Sequence, residues 1–501
     1  MQIMRLGHLN PNLNSFWERW EVTRKLSRRQ FLRTGFIAAS SSAIALGFTG
    51  CSRLMTGSTI TLTHRYGQLV PDPNGLLDLP PGFTYHAFSQ TGETMSDGLL
   101  VPAAPDGMAA FPARNGKTIL VRNHELDIAE DQRGAFGEKN EKLGRPHLDA
   151  MYDAGQKTKP PLGGTTTLVY DTKTQRLETH YLSLAGTVRN CAGGPTPWNT
   201  WISCEETVQR AKDTFERDHG YNFEVPAAET GGLVTPVPLK AMGRFNHEAV
   251  AVDARTGIVY QTEDRNNGLL YRFIPNRTGE LAAGGRLQAL KVRGMKSADT
   301  RNWRSLLDHL FTWGYDPIPV EQTLDVEWVD IENVESPKDD LRHQGFSKGA
   351  ARFARGEGMW ATGEEIFFVC TNGGVRKAGQ IWRYKPSPFE GTATEDRHPG
   401  QLTLFIEPND SDLMENADNL TVAPWGDLIL CEDGPGKQFL VGITPQGQLY
   451  KLAQNALNKS EFAGSVFSPD GSTLFVNIMT PGITLAITGP WHHTQALSRL
   501  G

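Results

Sequence analysis

The sequence predicts an all-β fold, a β-propeller of about six blades with helical and loop insertions covering one face. Three observations predict it. First, an interval of 15 positions recurs between polar residues that bracket strand–turn–strand units: Cys191 to Glu206, Glu248 to Glu263, Glu357 to Asn372 and Asp418 to Asp433. Second, two looser units of the same build, Pro105 to Glu125 and Phe462 to Ile478, bring the number to six and spread them over most of the chain. Third, the strand ends carry Glu, Asp, Asn, His and Cys, and a propeller gathers such ends at its central channel. Acids gathered there repel one another unless a cation lies among them, so the pattern predicts a metal site.

The chain has 501 residues, enough for one large multi-blade domain, and 52 glycines and 30 prolines supply its turns. Its formal charge is −6; residues 1 to 50 hold seven Lys/Arg and two Asp/Glu, so the remainder carries −11. That balance excludes a nucleic-acid binder, which needs a basic surface. Five cysteines without a C-x-x-C pair exclude a common zinc-finger pattern and do not form a disulfide framework. Cys204, Cys370 and Cys431 sit late in apolar strands and read as buried thiols. Cys191 lies outside any apolar run, shortly before Gly193-Gly194, and from spacing alone is open between metal ligand and structural thiol.

In chain order, Ser27-Arg28-Arg29-Gln30-Phe31-Leu32-Arg33 reads as a twin-arginine signal, followed by a weakly apolar run to Gly50. Residues 1–50 are thus expected to be a signal peptide, and 58–501 a single propeller domain. Phe48-Thr49-Gly50-Cys51 has the form of a lipobox, which would make Cys51 the lipidated first residue of a membrane-anchored lipoprotein. The alternative is plain signal-peptidase cleavage nearby, releasing a periplasmic protein. The twin-arginine route carries folded proteins, which suits a cofactor loaded before export.

Residues 58–98 carry few signals beyond a bend at Leu79 to Phe83 and a strand at Tyr85 to Phe88. The strand Thr118 to Val121 ends in Arg122-Asn123-His124-Glu125, and a polar insertion or cap follows from Asp127 to Pro161. Strand character resumes at Gly163 to Asp171, passes a turn, and returns over Leu177 to Leu184. Residues 208–240 are a mixed loop, and Trp303, Leu306, Leu307 and Leu310 recur at helical spacing. Asp253, Asp427 and Asp470, in ARTG, PWGD and SPDG hairpins, are assigned to turns.

With these residues in view the sequence resembles the PhoX-type alkaline phosphatase family over most of the chain after about residue 60. The resemblance rests on NCAGGPTPWNTWISCEE, GRFNHEA, YQTED, the triplet Arg355-Gly356-Glu357, ENADNL, CEDG, FSPDGSTLFVNIMTPG and AITGPW. It implies a propeller whose central site holds two ferric ions and calcium ions bridged by an oxo group. Cys191 would be the thiolate on iron, with Glu248 and Glu357 holding the iron pair. Glu125, Glu205, Glu206 and Asp418 would be the remaining metal ligands, chiefly to calcium. Arg355 would grip the substrate phosphate.

The residue types suit that chemistry, because calcium takes oxygen ligands whereas a thiolate suits a transition metal. Arginine adds a forked pair of hydrogen bonds to a phosphate. Two departures stand out. The family's iron carboxylate often follows Arg-Pro where this chain has Arg-Gly, and the second phosphate-binding arginine is open between Arg265, Arg272 and Arg376. The expected function is an exported, monomeric, metal-dependent hydrolase of small phosphate monoesters. The alternatives are a calcium-dependent lactonase-like propeller hydrolase and a non-catalytic, metal-pinned surface propeller.

Overall fold

The computed structural model describes residues 60–128, 133–157, 159–303 and 317–491. The twin-arginine segment, Cys51 and, beyond Trp303, the predicted helical patch lie outside them. Among the described residues no helix is long and apolar enough to cross a membrane.

The strands group into six radial units. Blade 1 comprises Pro105–Pro112, Thr118–His124, Gly163–Asp171 and Arg176–Thr187. Blade 2 has three strands, Asn190–Pro195, Thr200–Glu205 and Asn222–Pro226. Blade 3 is His247–Val252, Val259–Glu263, Gly268–Pro275 and Gly285–Val292. Blade 4 is Gly356–Ala361, Ile366–Cys370, Gln380–Lys385 and Gln401–Ile406. Blade 5 is Ala417–Val422, Leu428–Glu432, Phe439–Ile443 and Leu449–Asn455.

Blade 6 takes Phe462–Phe467, Thr473–Ile478 and Ile483–Thr488 from the C-terminal part, and its fourth strand, Thr84–Gln90, from the N-terminal part. The weakly marked strand near Tyr85 therefore closes the ring, covering an edge that would otherwise stay open. The hydrogen-bonded sheets number five, because Thr323–Asp330 pairs with both Gly285–Val292 and Gln401–Ile406 and so joins blades 3 and 4 at their rims.

The first strand of each blade packs on the first strands of both neighbours, so these six strands surround the axis. Every one carries a bulge at the same place: two residues face one on the second strand of the blade, at 106–107, 191–192, 248–249, 357–358, 418–419 and 464–465. A bulge bends its strand and re-aims a side chain.

The second bulge residues are Gly107, Ala192, Ala249, Gly358, Asn419 and Ser465, mostly small, because the strands nearly touch here. A Cβ on Gly107 would lie 2.6 Å from Ala192 Cα. Together they leave an axial void of only about 20 Å³, a floor under the mouth of the channel. Outside this hub the blades are held by apolar layers, such as Tyr260, Phe353, Phe368, Trp382 and Tyr384 between blades 3 and 4.

Candidate metal centre

The first bulge residues are Asp106, Cys191, Glu248, Glu357, Asp418 and Gly464, so five of six blades present a side chain able to ligate a metal at one level. A second level follows from the residue just past each second strand: Glu125, Glu206, Asp264, Thr371 and Asp433 in blades 1 to 5. Each donates its backbone N–H to the carbonyl of the residue leading into its own blade. These bonds run Glu125 to Ala104, Glu206 to Arg189, Asp264 to Asn246, Thr371 to Arg355 and Asp433 to Asn416, at 2.9–3.2 Å.

Four of the lead-in residues have left-handed backbone: Ala104, Arg189, Arg355 and Asn416, with φ of 47, 49, 53 and 48°. Asparagine tolerates this; for an arginine it costs about 1 kcal/mol, a strain that persists where the surroundings fix it. Both arginines use it to reach sideways. Arg189 Nη2 meets Glu125 Oε1 of the preceding blade at 2.7 Å and also Glu206. Arg355 forks onto Asp264 of the preceding blade, Nε to Oδ1 at 2.7 Å and Nη2 to Oδ2 at 2.9 Å, and Nη2 also donates to Glu357 at 2.6 Å.

The ligand atoms form three groups, each within a 4.8 Å span: Asp106, Glu125 and Cys191; Cys191, Glu206 and Glu248; Glu248, Glu357 and Asp418. Shared members link them into one chain across the hub. Cys191 Sγ lies 3.6 Å from Glu206 Oε2. Asp106, Cys191, Glu206, Glu248 and Glu357 are buried, while Glu125 and Asp418 are half-buried.

Crowding shows in the proton affinities. Burial, then the charges of neighbouring acids, hold Asp106, Glu248, Glu357 and Glu461 well above the usual carboxylate range. Burial pushes Glu125 up to about 8 against the pull of Arg189. Burial and Asp433 push Asp418 up to about 7. Burial, then the charges of Glu125, Glu248, Glu206 and Asp106, raise the Cys191 thiol. Arg189 and Arg355 are the cations paired with these acids among the described residues, too few to balance them. Bound cations fit this donor set: they would neutralise the excess charge, and the lone thiolate amid oxygens accommodates one metal softer than calcium.

Of the residues singled out from sequence, Glu125, Cys191, Glu206, Glu248, Glu357, Asp418 and Arg355 converge. Glu205 does not, which corrects the expectation that it is a ligand. Its position on the strand turns it away from the hub. Oε1 accepts from Val188 N–H at 2.9 Å and lies 2.6 Å from His219 Nδ1; Oε2 accepts from the N–H groups of Gly220 and Tyr221 at 2.8 and 3.2 Å. Burial alone would lower the His219 pKa, but Glu205 and Asp153 hold it up to about 9. Glu263 and Glu432 occupy the equivalent strand position and likewise bind within their own blades.

The turn assignments hold for Asp253 and Asp470, which accept hydrogen bonds inside their hairpins. Asp427 differs: its carboxylate is buried, accepts a hydrogen bond from Tyr450 Oη at 2.7 Å and forms an ion pair with Arg65 Nε at 3.0 Å. Arg272 is buried against Glu390, Glu395 and Gln288 and cannot reach a substrate. Asp106, Arg189, Asp264 and Glu461 were missed. Asp106 opens the PDGMAAF unit at the bulge position, but longer strands set it 19 residues before Glu125 and hid it from a fixed interval.

A search of curated protein sequences finds no match. Among solved structures, the fold is similar to Pseudomonas fluorescens PhoX in complex with vanadate, a transition state analogue. The TM-score is 0.60 at 15% identity, covering 86% of this chain and 98% of that one. A gluconolactonase from Xanthomonas campestris follows at a TM-score of 0.38 and 12% identity, covering 85% and 98%. The family model described as alkaline phosphatase PhoX matches residues 64–482, nearly the whole of the described chain. On that match the chain belongs to the alkaline phosphatase PhoX family and is a phosphoric monoester hydrolase.

Proposed function

We propose that the protein hydrolyses phosphate monoesters at a mixed iron and calcium centre on the propeller axis, and that it is exported by the twin-arginine route. The observation that carries the reading is the linked chain of three ligand groups, joined through Cys191 and Glu248 and flanked by two arginines. Cys191, Glu248 and Glu357 would hold iron; Asp106, Glu125, Glu206 and Asp418 would hold the remaining ions. The metals would supply Lewis acidity and an activated oxygen nucleophile.

The chain's own side chains do the rest. Asp264 fixes the Nε–Nη2 edge of Arg355, and among the described residues Nη1 has no hydrogen-bond partner, leaving a donor that can hold an equatorial phosphate oxygen. The axial floor of small residues shuts the channel below, so substrate approaches from the mouth alone. Pseudomonas fluorescens PhoX was solved in complex with vanadate, a transition state analogue, and vanadate is expected to bind and inhibit here.

Processing belongs to the same proposal, with Cys51 lipidated as a membrane anchor in one form and plain signal-peptidase cleavage nearby, releasing a free periplasmic monomer, in the other. The test is metal analysis of protein exported natively, together with 4-nitrophenyl phosphate turnover. Iron and calcium are expected together, with turnover about 10²–10³-fold lower in Arg355→Ala. Protein with calcium alone, or with unchanged turnover in that variant, would overturn the reading.

A further inference from the structure

Beside the metal centre lies a second cluster of charge that the hydrolytic site does not use. A groove of about 580 Å³ opens at the Arg189–Glu206 pair, and its lining brings together four cationic side chains, Arg189, Arg210, Lys212 and Arg265, against one acid, Glu206. Within the lining the cations outnumber the acids, on a chain of net charge −6, and their other acidic partners, Glu125, Asp213, Asp218 and Asp339, lie outside it. Arg210 and Lys212 stand on the loop between the second and third strands of blade 2, with side chains 49% and 77% exposed.

The loop backbone is fixed from beneath. Arg244, 1% exposed, donates from Nε to the His219 carbonyl at 2.7 Å, from Nη2 to those of Val208 and Gln209, and from Nη1 to that of Ser336 at 3.2 Å. Asp218 accepts from Ala211 N–H at 2.7 Å and pairs with Arg210 at 3.2 Å. Among the described residues the Lys212 ammonium pairs with Asp213 alone, at 4.0 Å.

Arg265 forms the opposite wall. Its Nη2 donates to Asn246 Oδ1 at 2.8 Å and lies 3.6 Å from Asp339, while Nε is buried with no hydrogen-bond partner among the described residues. The Arg265 carbonyl accepts the Arg355 N–H at 2.9 Å, so this wall and the phosphate-gripping arginine share one stretch of backbone contact. The groove also shares Glu206 with the ligand group of Cys191 and Glu248.

From this geometry we infer that the groove is the leaving-group subsite, and that it selects phosphate monoesters whose alcohol carries a further negative charge, a carboxylate or a second phosphate. The inference rests on the phosphatase reading above. With the phosphoryl group at the hub, the ester substituent extends through the open mouth, and this cationic groove is where an anionic substituent finds partners. Exposed charge pairs are individually weak and screened by salt, so the preference comes from several cations acting together and weakens at high ionic strength.

The test uses the metal-loaded full chain and two matched pairs of substrates: glycerol 3-phosphate with 3-phosphoglycerate, and fructose 6-phosphate with fructose 1,6-bisphosphate. The first pair reports a carboxylate and the second a phosphate. Wild type is expected to favour the more anionic member in kcat/KM, through KM. The double variant Arg210→Gln, Lys212→Gln, and separately Lys212→Glu, should cut that preference about tenfold, as should 0.5 M salt in wild type. A preference ratio identical in wild type and both variants would overturn the subsite while leaving the phosphatase reading standing. Hydrolysis of none of the four substrates would overturn the phosphatase reading, and the subsite with it.

Discussion

Gly358 sits on the second position of the blade 4 bulge, one residue after Glu357, and has no room for a methyl group unless the candidate metal ligands beside it move. A Cβ there would lie 2.7 Å from Asn419 Cα, 2.7 Å from the Asp418 carbonyl oxygen and 2.8 Å from Leu420 N, all backbone of blade 5. Ordinary carbon contacts begin near 3.5 Å, so the two inner strands must part by roughly 1 Å. Overpacking of this kind costs about 1–3 kcal/mol. The larger effect falls on function, because Glu357 and Asp418 flank the contact and belong to one ligand group confined to a 4.8 Å span. A misplacement of about 1 Å at a reacting centre lowers turnover about 10²-fold. Gly358→Ala is therefore expected to fold with a modestly lower Tm, bind less metal and turn over 4-nitrophenyl phosphate about 10²-fold more slowly. Gly363→Ala, at the turn of the same hairpin with nothing within 4 Å, should match wild type. Wild-type turnover and metal content in Gly358→Ala would refute the claim that blades 4 and 5 fix the site by close backbone approach.

Adjacent glutamates in blade 2 are expected to separate stability from metal binding. Glu205→Gln removes the nearer of the two acids that charge His219, leaving Asp153, and should lower stability by about 3 kcal/mol with metal content intact, whereas Glu206→Gln should lower metal content. Thermal melts and elemental analysis of the two variants check this, and exchanged phenotypes would refute the assignment. Chelation should make stability depend on pH in a definite direction. Glu125 and Asp418 have folded pKa values raised to about 8 and about 7, so without metal their neutral forms favour folding. That contribution is complete below the unfolded values near 4 and is lost as pH rises to 7–8. The Tm of chelated protein should fall between pH 5 and 8 and recover when calcium is restored; a flat or rising profile would contradict the assignment of these acids to the hub.

The ligand types were legible because each belongs to a local pattern: a polar residue, a short apolar strand, a turn and another strand. A fixed interval of 15 found the right partners only where the intervening turn has five residues. In blade 2, Pro195 faces Trp201, and in blade 5, Val422 faces Leu428, so Glu206 and Asp433 fall at the exit position. In blade 3, Val252 faces Val259, one residue more, and in blade 4, Ala361 faces Ile366, one residue fewer. The interval therefore landed on Glu263 and Asn372 where the exit residues are Asp264 and Thr371. A shift of one residue turns a side chain to the other face of its strand, which is also why Glu205 and Glu206 part company.

By itself the sequence determined that strand–turn–strand units repeat about an axis, that Cys191, Glu248, Glu357 and Asp418 begin them, and that Arg355 stands beside an acid. Those are properties of neighbours along the chain. The tertiary structure alone decided which carboxylates face one another, because bulges and turn lengths set side-chain direction and only ring closure sets distance. The same closure paired Arg355 with Asp264, 91 residues away, and drew Thr84–Gln90 onto Ile483–Thr488. Contacts of such separation leave no periodic trace in a chain, since they arise from the sum of six blade rotations and from no local propensity.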